Sequence, residues 1–124
     1  MTTEPTKLGV WCAGEAWCPV TSTATLIGKK WHCVIVHRLL ENGPLGFSAL
    51  QTEVDGISSK VLSDVLEDLE NKGFVNREIV NEKPVRVEYS LTDLGRSLEP
   101  VVMAMRDWGL EHLEEVSDPA DSIA

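Results

Sequence analysis

The sequence predicts a mainly α fold carrying a single β-hairpin, an α+β class built as one domain. Three observations predict it. Apolar residues recur every three or four positions through several stretches. One stretch, Val85 to Leu91, alternates apolar and polar residues instead, and Gly- or Pro-containing turns separate the stretches. A length of 124 residues suits one modest core, and a hydrophobic share of 43% is enough to form it.

Cys18-Pro19 opens the first predicted helix, with Pro allowed in the first turn; Val20, Ala24 and Ile27 share a face, and Gly28 ends it. A second helix runs from about Lys29 to Glu41 on Trp31, Ile35 and Leu39, with Val34 beside them, until Asn42-Gly43-Pro44 terminates it. Phe47 to Glu53 reads as a short helix with Phe47 and Leu50 inward, followed by the turn Asp55-Gly56. Ser58 or Ser59 then caps a longer helix extending to Lys72, where Leu62, Leu66 and Leu69, widened by Val65, form the inner stripe and Gly73 closes the end. Val75, Arg77 and Ile79 alternate weakly, Asn81-Glu82-Lys83-Pro84 is turn chemistry, and Val85, Val87, Tyr89 and Leu91 complete a hairpin. Thr92 caps a final helix whose Leu94, Leu98, Val101, Met105 and Trp108 follow heptad spacing, and Pro100 should kink or break it near Leu98.

A short helix joined to a longer one by a Gly-containing turn is a helix-turn-helix, and a hairpin directly after the longer helix makes it winged. Residues 18–113 form that domain, preceded by a partly ordered arm (residues 1–17) and followed by a frayed tail (residues 114–124). Trp11 and Trp17 in the arm are large apolar side chains expected to dock on a partner subunit. No apolar run reaches the roughly 18 residues of a membrane span, and Met1 to Val10 lack the pattern of a secretory signal, so a soluble cytoplasmic protein is expected. Three cysteines, Cys12, Cys18 and Cys33, cannot all pair within one chain.

Charge excludes a generic basic nucleic-acid binder: 20 acidic against 11 basic residues leave a net charge of −9. An acidic surface suits concentrated salt, where repulsion is screened over a few ångströms.

Several motifs in order resemble the HxlR-type winged-helix regulators: Cys18-Pro19-Val20, Gly28-Lys29-Lys30-Trp31, Gly46-Phe47-Ser48-Ala49-Leu50, Gly56-Ile57-Ser58-Ser59-Lys60-Val61-Leu62 and Arg86-Val87-Glu88-Tyr89-Ser90-Leu91-Thr92, with Pro100 and Trp108-Gly109 beyond. The acidic balance is similar to that of the family's haloarchaeal branch. The resemblance implies a homodimer built from the N-terminal region and the last helix, binding palindromic operator DNA as a transcription regulator. It also implies a response to thiol oxidation at Cys18. No cofactor is expected. One departure stands out: the middle of the longer helix carries Val65 and Glu67, beside Asp64 and Asp68, where the family usually carries basic residues.

With Leu62, Leu66 and Leu69 inward, Lys60, Asp64, Glu67 and Asn71 point outward. DNA reading is therefore expected at the helix start, through Ser58, Ser59, Lys60 and Ser63, with Ser48 on the preceding helix. Lys83 and Arg86 are wing candidates, and Lys29 and Lys30 are phosphate-contact candidates at a helix start where the dipole gives positive charge no benefit. Inorganic cations are expected between Asp64, Glu67, Asp68 and the phosphates, weakening the salt dependence of binding.

Cys18 reads either as a small core residue or as a redox-active thiol at a helix start, with Cys12 its possible partner; Cys33 reads as core. No metal site is expected from His32, Cys33 and His37: five residues separate the two histidines and no Cys-x-x-Cys pair exists. No phosphate loop or nucleophile elbow points to an enzyme. Leu94, Leu98, Val101, Met105 and Trp108, with the Trp11 and Trp17 segment, are the expected dimer seam. Two rivals stay open at this point: a winged-helix module that binds proteins, and a thiol or metal sensor without direct DNA binding.

Overall fold

Leu62, Val65, Leu66 and Leu69 are buried along one side of a 13-residue helix, and the molecule is organised around that stripe. The structure, a computed structural model, describes residues 18–115, so Trp11, Cys12 and Trp17 lie outside the described residues. The elements are α1 (Pro19–Ile27), α2 (Lys30–Asn42), β1 (Leu45–Gly46), α3 (Phe47–Glu53), α4 (Ser59–Asn71), β2 (Val75–Glu82), β3 (Val85–Leu91), α5 (Asp93–Arg96) and α6 (Glu99–His112). Among the described residues no helix is long and apolar enough to cross a membrane.

Ile35, Val36 and Leu39 of α2 and Leu50 of α3 complete the core with Phe74, Val75, Tyr89 and Leu91 from the sheet end. Each fully buried leucine contributes about 1.5–3 kcal/mol through removal of its side chain from water. The sheet is antiparallel in the order β1-β3-β2, with Leu45 opposite Tyr89 and Val75 opposite Leu91. β1 was not anticipated: two residues cannot display an alternation, yet Leu45 and Gly46 pair with the inner half of β3. The first hairpin strand runs further than expected, to Glu82, while the second spans Val85 to Leu91 as expected, which confines the turn to Lys83-Pro84; a bulge interrupts the register between Ile79 and Asn81.

Where α4 ends, Gly73 takes φ +86°, a conformation open to glycine, and the chain enters Phe74. The start of α5 clasps this exit. Thr92 Oγ1 donates to the Gly73 carbonyl at 2.6 Å and the Thr92 N–H donates to the Phe74 carbonyl at 3.0 Å. A Cβ on Gly95 would lie 2.2 Å from that same Phe74 oxygen, so only glycine permits the approach.

The last helix departs from the continuous seam that heptad spacing predicts. The chain breaks at Ser97–Leu98, and α6 restarts with Pro100 in its first turn, as proline requires. The break turns Leu94 and Leu98 onto the domain's own core, where they are half-buried, and buries Val102. Among the described residues of the expected seam, only Val101, Met105 and Trp108 stay exposed. α1 is similarly open: Ile27 is buried, whereas Val20 and Ala24 on the same face are exposed.

Candidate nucleic-acid interface

The amino-terminal turn of α4 protrudes because its first inward leucine is Leu62; everything before that on the helix is polar or partly exposed. Ser58 adopts extended backbone and its Oγ accepts the Val61 N–H at 3.1 Å, capping the helix. Ser58, Ser59, Lys60 and Ser63 are all exposed. Gln51 on α3 fixes the angle between the two helices: its Nε2 donates to Ser59 Oγ at 3.1 Å and to the Ile57 carbonyl at 3.3 Å. Sequence reading passed over Gln51, since nothing local marks a polar side chain that bridges to a residue eight positions on.

Lys60 reaches Asp64 at 3.0 Å, one turn along, an exposed pair that holds the ammonium only loosely. Asp64 and Glu67 point outward as expected. Asp68, expected at the same face, does not. Its Oδ2 lies 2.7 Å from His32 Nε2 and 2.8 Å from Lys72 Nζ, so it faces α2. The hydrogen bond from Lys72 is the largest cause holding the Asp68 carboxyl below its ordinary pKa; burial opposes this and the His32 bond adds to it. Among the described residues no three His, Cys, Asp or Glu side chains gather as a metal site.

Ser48 and Arg86 border one groove of about 430 Å³ between the start of α3 and the hairpin, with Phe47, Val80 and Val85 in its wall. Lys83 is exposed at the turn, its backbone N–H donating to Asn81 Oδ1 at 3.2 Å. The groove thus brings Ser48 at the start of α3 beside Arg86 of the hairpin, while Gln51 ties α3 to Ser59 at the start of α4.

Lys29 and Lys30 are set apart from that group. The start of α2 lies beside the far end of α4, where His32 meets Asp68 and Lys72 Nζ reaches the Leu26 carbonyl at 3.4 Å. At 1.5 Å rise per residue, Asp68 is about 15 Å along the helix from Ser58. Lys30 Nζ sits 4.4 Å from the centre of the Trp31 ring, a cation–π contact.

The two described thiols have opposite surroundings. Cys18 caps α1, its Sγ accepting the Thr21 N–H at 3.5 Å; hydrogen bonds from Thr21, side chain first and then backbone, hold the thiol below its ordinary pKa. Cys33 is half-buried, its Sγ donating to the Ile27 carbonyl at 2.7 Å, and burial pushes its pKa up.

A helix-turn-helix with an exposed second-helix start and a hairpin beside it defines a winged-helix transcription regulator. Residues 26–117 match the HxlR-like helix-turn-helix family, and the chain belongs to that family. It is 35% identical over 112 residues to the HTH-type transcriptional regulator YdeP of Bacillus subtilis, covering 89% of this chain and 87% of that one. It is 33% identical over 111 residues to the HTH-type transcriptional regulator YodB of the same organism, covering 89% and 95%. The structure resembles that of the redox regulator HypR in its oxidized form at a TM-score of 0.73 and 36% identity, over 79% of this chain and all of that one.

Proposed function

We propose that this chain acts as a homodimer that binds palindromic operator DNA and changes its affinity when thiols are oxidised. The observation that carries the reading is the free amino-terminal turn of α4, capped by Ser58 and braced by Gln51, beside the groove shared by Ser48 and Arg86. Ser58, Ser59, Lys60 and Ser63 would meet the operator; the helix start offers N–H donors to a phosphate and its serines reach base edges. Lys83 and Arg86 would position the wing on the backbone, while Lys29 and Lys30, at the other end of α4, would serve at most an outlying phosphate.

Dimerisation would use Val101 and Met105 of α6, which border an apolar groove with the open face of α1, and Trp108, which borders a second groove along α6 with the same two residues. Cys18 is the candidate sensor, because a thiol held below its ordinary pKa presents more of the reactive thiolate. The similarity to the redox regulator HypR in its reduced and oxidized forms supports that reading by kinship. The excess of acid over base on the chain supports operation in concentrated salt, with cations taken up between Asp64, Glu67 and the phosphates.

A fluorescence titration of the protein on its own upstream DNA, from dilute to molar potassium chloride, tests the reading. The expected result is specific binding that persists in molar salt with a shallow dependence, and Lys60→Ala weakening it about tenfold. A steep loss between low and moderate salt would remove the cation mechanism. Absence of specific binding at every salt concentration would remove the regulator reading altogether.

A further inference from the structure

Apolar packing decides which face of α4 is inward, but it does not by itself fix the last few degrees of rotation. Leu62, Val65, Leu66 and Leu69 are buried in the common core, and such burial is non-directional. Directional bonds settle the rest, and α4 has them at both ends. At its start, Gln51 bonds Ser59 and the Ile57 carbonyl. At its far end the bonds come from α2 and α1, and they join groups that the DNA contacts proposed above do not use.

His32 of α2 is 5% exposed, and its Nε2 lies 2.7 Å from Asp68 Oδ2. Lys72 Nζ meets the same oxygen at 2.8 Å, so Asp68 is a carboxylate that only accepts, and the neutral ring carries its proton on Nε2. Nδ1 is then a bare lone pair, buried and without a hydrogen-bond partner among the described residues. A buried polar atom left unpaired is destabilising, and an apolar side chain here would avoid it. Folding alone therefore gives little reason for an imidazole at this position, whereas a directional bond to α4 does.

The same end of α4 also holds α1. Lys72 Nζ donates to the Leu26 carbonyl at 3.4 Å, and Cys33 Sγ of α2 donates to the Ile27 carbonyl at 2.7 Å. Both carbonyls lie in the last turn of α1, where partners within the helix run out. Three helices thus meet through Asp68, Lys72 and His32.

We propose that His32 and Lys72 are positioning residues for operator recognition: through Asp68 they fix the rotation of α4, and with it the placement of Ser59, Lys60 and Ser63 in the major groove. The proposal rests on the DNA-binding reading above and deepens it. Side chains end about 5 Å from a helix axis, so a slip of about 20° carries them about 2 Å, more than a hydrogen bond to a base edge tolerates. Asp68 lies about 15 Å along the helix from Ser58, so this cluster acts on the contacts without reaching the bases beside that turn.

The test compares His32→Leu and His32→Gln with wild type, by titration against operator and against scrambled duplex, alongside thermal unfolding. Nitrogen NMR of the wild-type imidazole reads its tautomer directly. Leucine keeps the site apolar and removes the bond to Asp68; the glutamine amide donates to Asp68 as Nε2 does. His32→Leu should unfold at or above the wild-type temperature, yet its preference for operator over scrambled DNA should drop about tenfold. His32→Gln should recover that preference to within about twofold of wild type. The wild-type ring should carry its proton on Nε2.

An unchanged preference in His32→Leu would overturn the proposal. So would a loss that glutamine does not restore, or one matched by a falling unfolding temperature, which marks a residue that merely holds the fold. A proton on Nδ1 would overturn it without any variant. If His32→Leu does not fold, the glutamine variant and the ring decide between the same outcomes. Wild-type protein without any preference for operator would instead overturn the DNA-binding reading, which separates the two failures.

Discussion

The side of the molecule around α4 and the end formed by α1 and α6 treat their apolar residues in opposite ways. Around α4, Ile35, Leu50, Leu62 and Leu69 have no exposed surface, and every helix that contributes does so from a single face. At the α1–α6 end, Val20, Met105, Trp108 and Leu110 are each more than half exposed. A monomer that leaves several large side chains in water on one side, while sealing the other, has a core that folds it and a face open to the proposed second copy. The two regions should then respond to substitution in different currencies, one in folding stability and the other in association.

The largest effect should fall on the sealed side. Leu62→Ala should cost about 3 kcal/mol in a urea unfolding curve, because a residue without exposed surface leaves a cavity that α2 and α4 cannot close. A cost below 1 kcal/mol would mean that this core is looser than its burial implies. At the open end, Met105→Lys should leave the secondary structure intact but move the protein from dimer to monomer in sedimentation at micromolar concentration. A fully dimeric variant would take α6 out of the interface and break the comparison.

Smaller effects sharpen it. Ser58→Ala removes the cap of α4 and should cost about 1 kcal/mol while weakening operator binding, since the same turn would carry both roles. Cys18→Ser should leave unfolding nearly unchanged and abolish the response of operator affinity to peroxide; a retained response would assign the sensor elsewhere. The smallest effect is at Asp68, which is partly solvated. Its pKa is lowered in the folded state, so its contribution is present above the ordinary carboxylate range and is lost as the pH falls through the folded value. The stability gap between wild type and Asp68→Asn should therefore narrow as the pH drops below about 4. A gap that stayed constant through that range would show that the carboxylate charge of Asp68 contributes nothing to folding.

What the sequence made legible was whatever repeats with a period or sits at a cap. The stripe on α4, the hairpin, the Ser58 and Thr92 caps and the break before Pro100 all have local signatures, and the structure contains each of them. What it hid depends on partners distant along the chain. Helical periodicity assigned Asp68 no partner, because its histidine lies 36 residues earlier. Heptad spacing treated Leu94 to Trp108 as one straight rod, whereas the turn at Ser97 rotates its first two members inward. Lys29 and Lys30 were grouped with the other basic residues by charge, which carries no information about which end of α4 they approach. Whether the exposed residues touch DNA is a further step that periodicity does not reach.

The clasp between α5 and the exit of α4 has a mechanical consequence. Thr92 holds the Gly73 and Phe74 carbonyls, and Gly95 lies too close to Phe74 for a side chain to intervene. In the proposed dimer joined through α6, this joint would link the subunit contact to the end of α4. A small tilt of one α6 against the other would be carried through it as a lever arm is carried by a fixed elbow. The gap between the two reading helices would change by ångströms, enough to put them in or out of step with successive turns of the duplex, without either helix deforming.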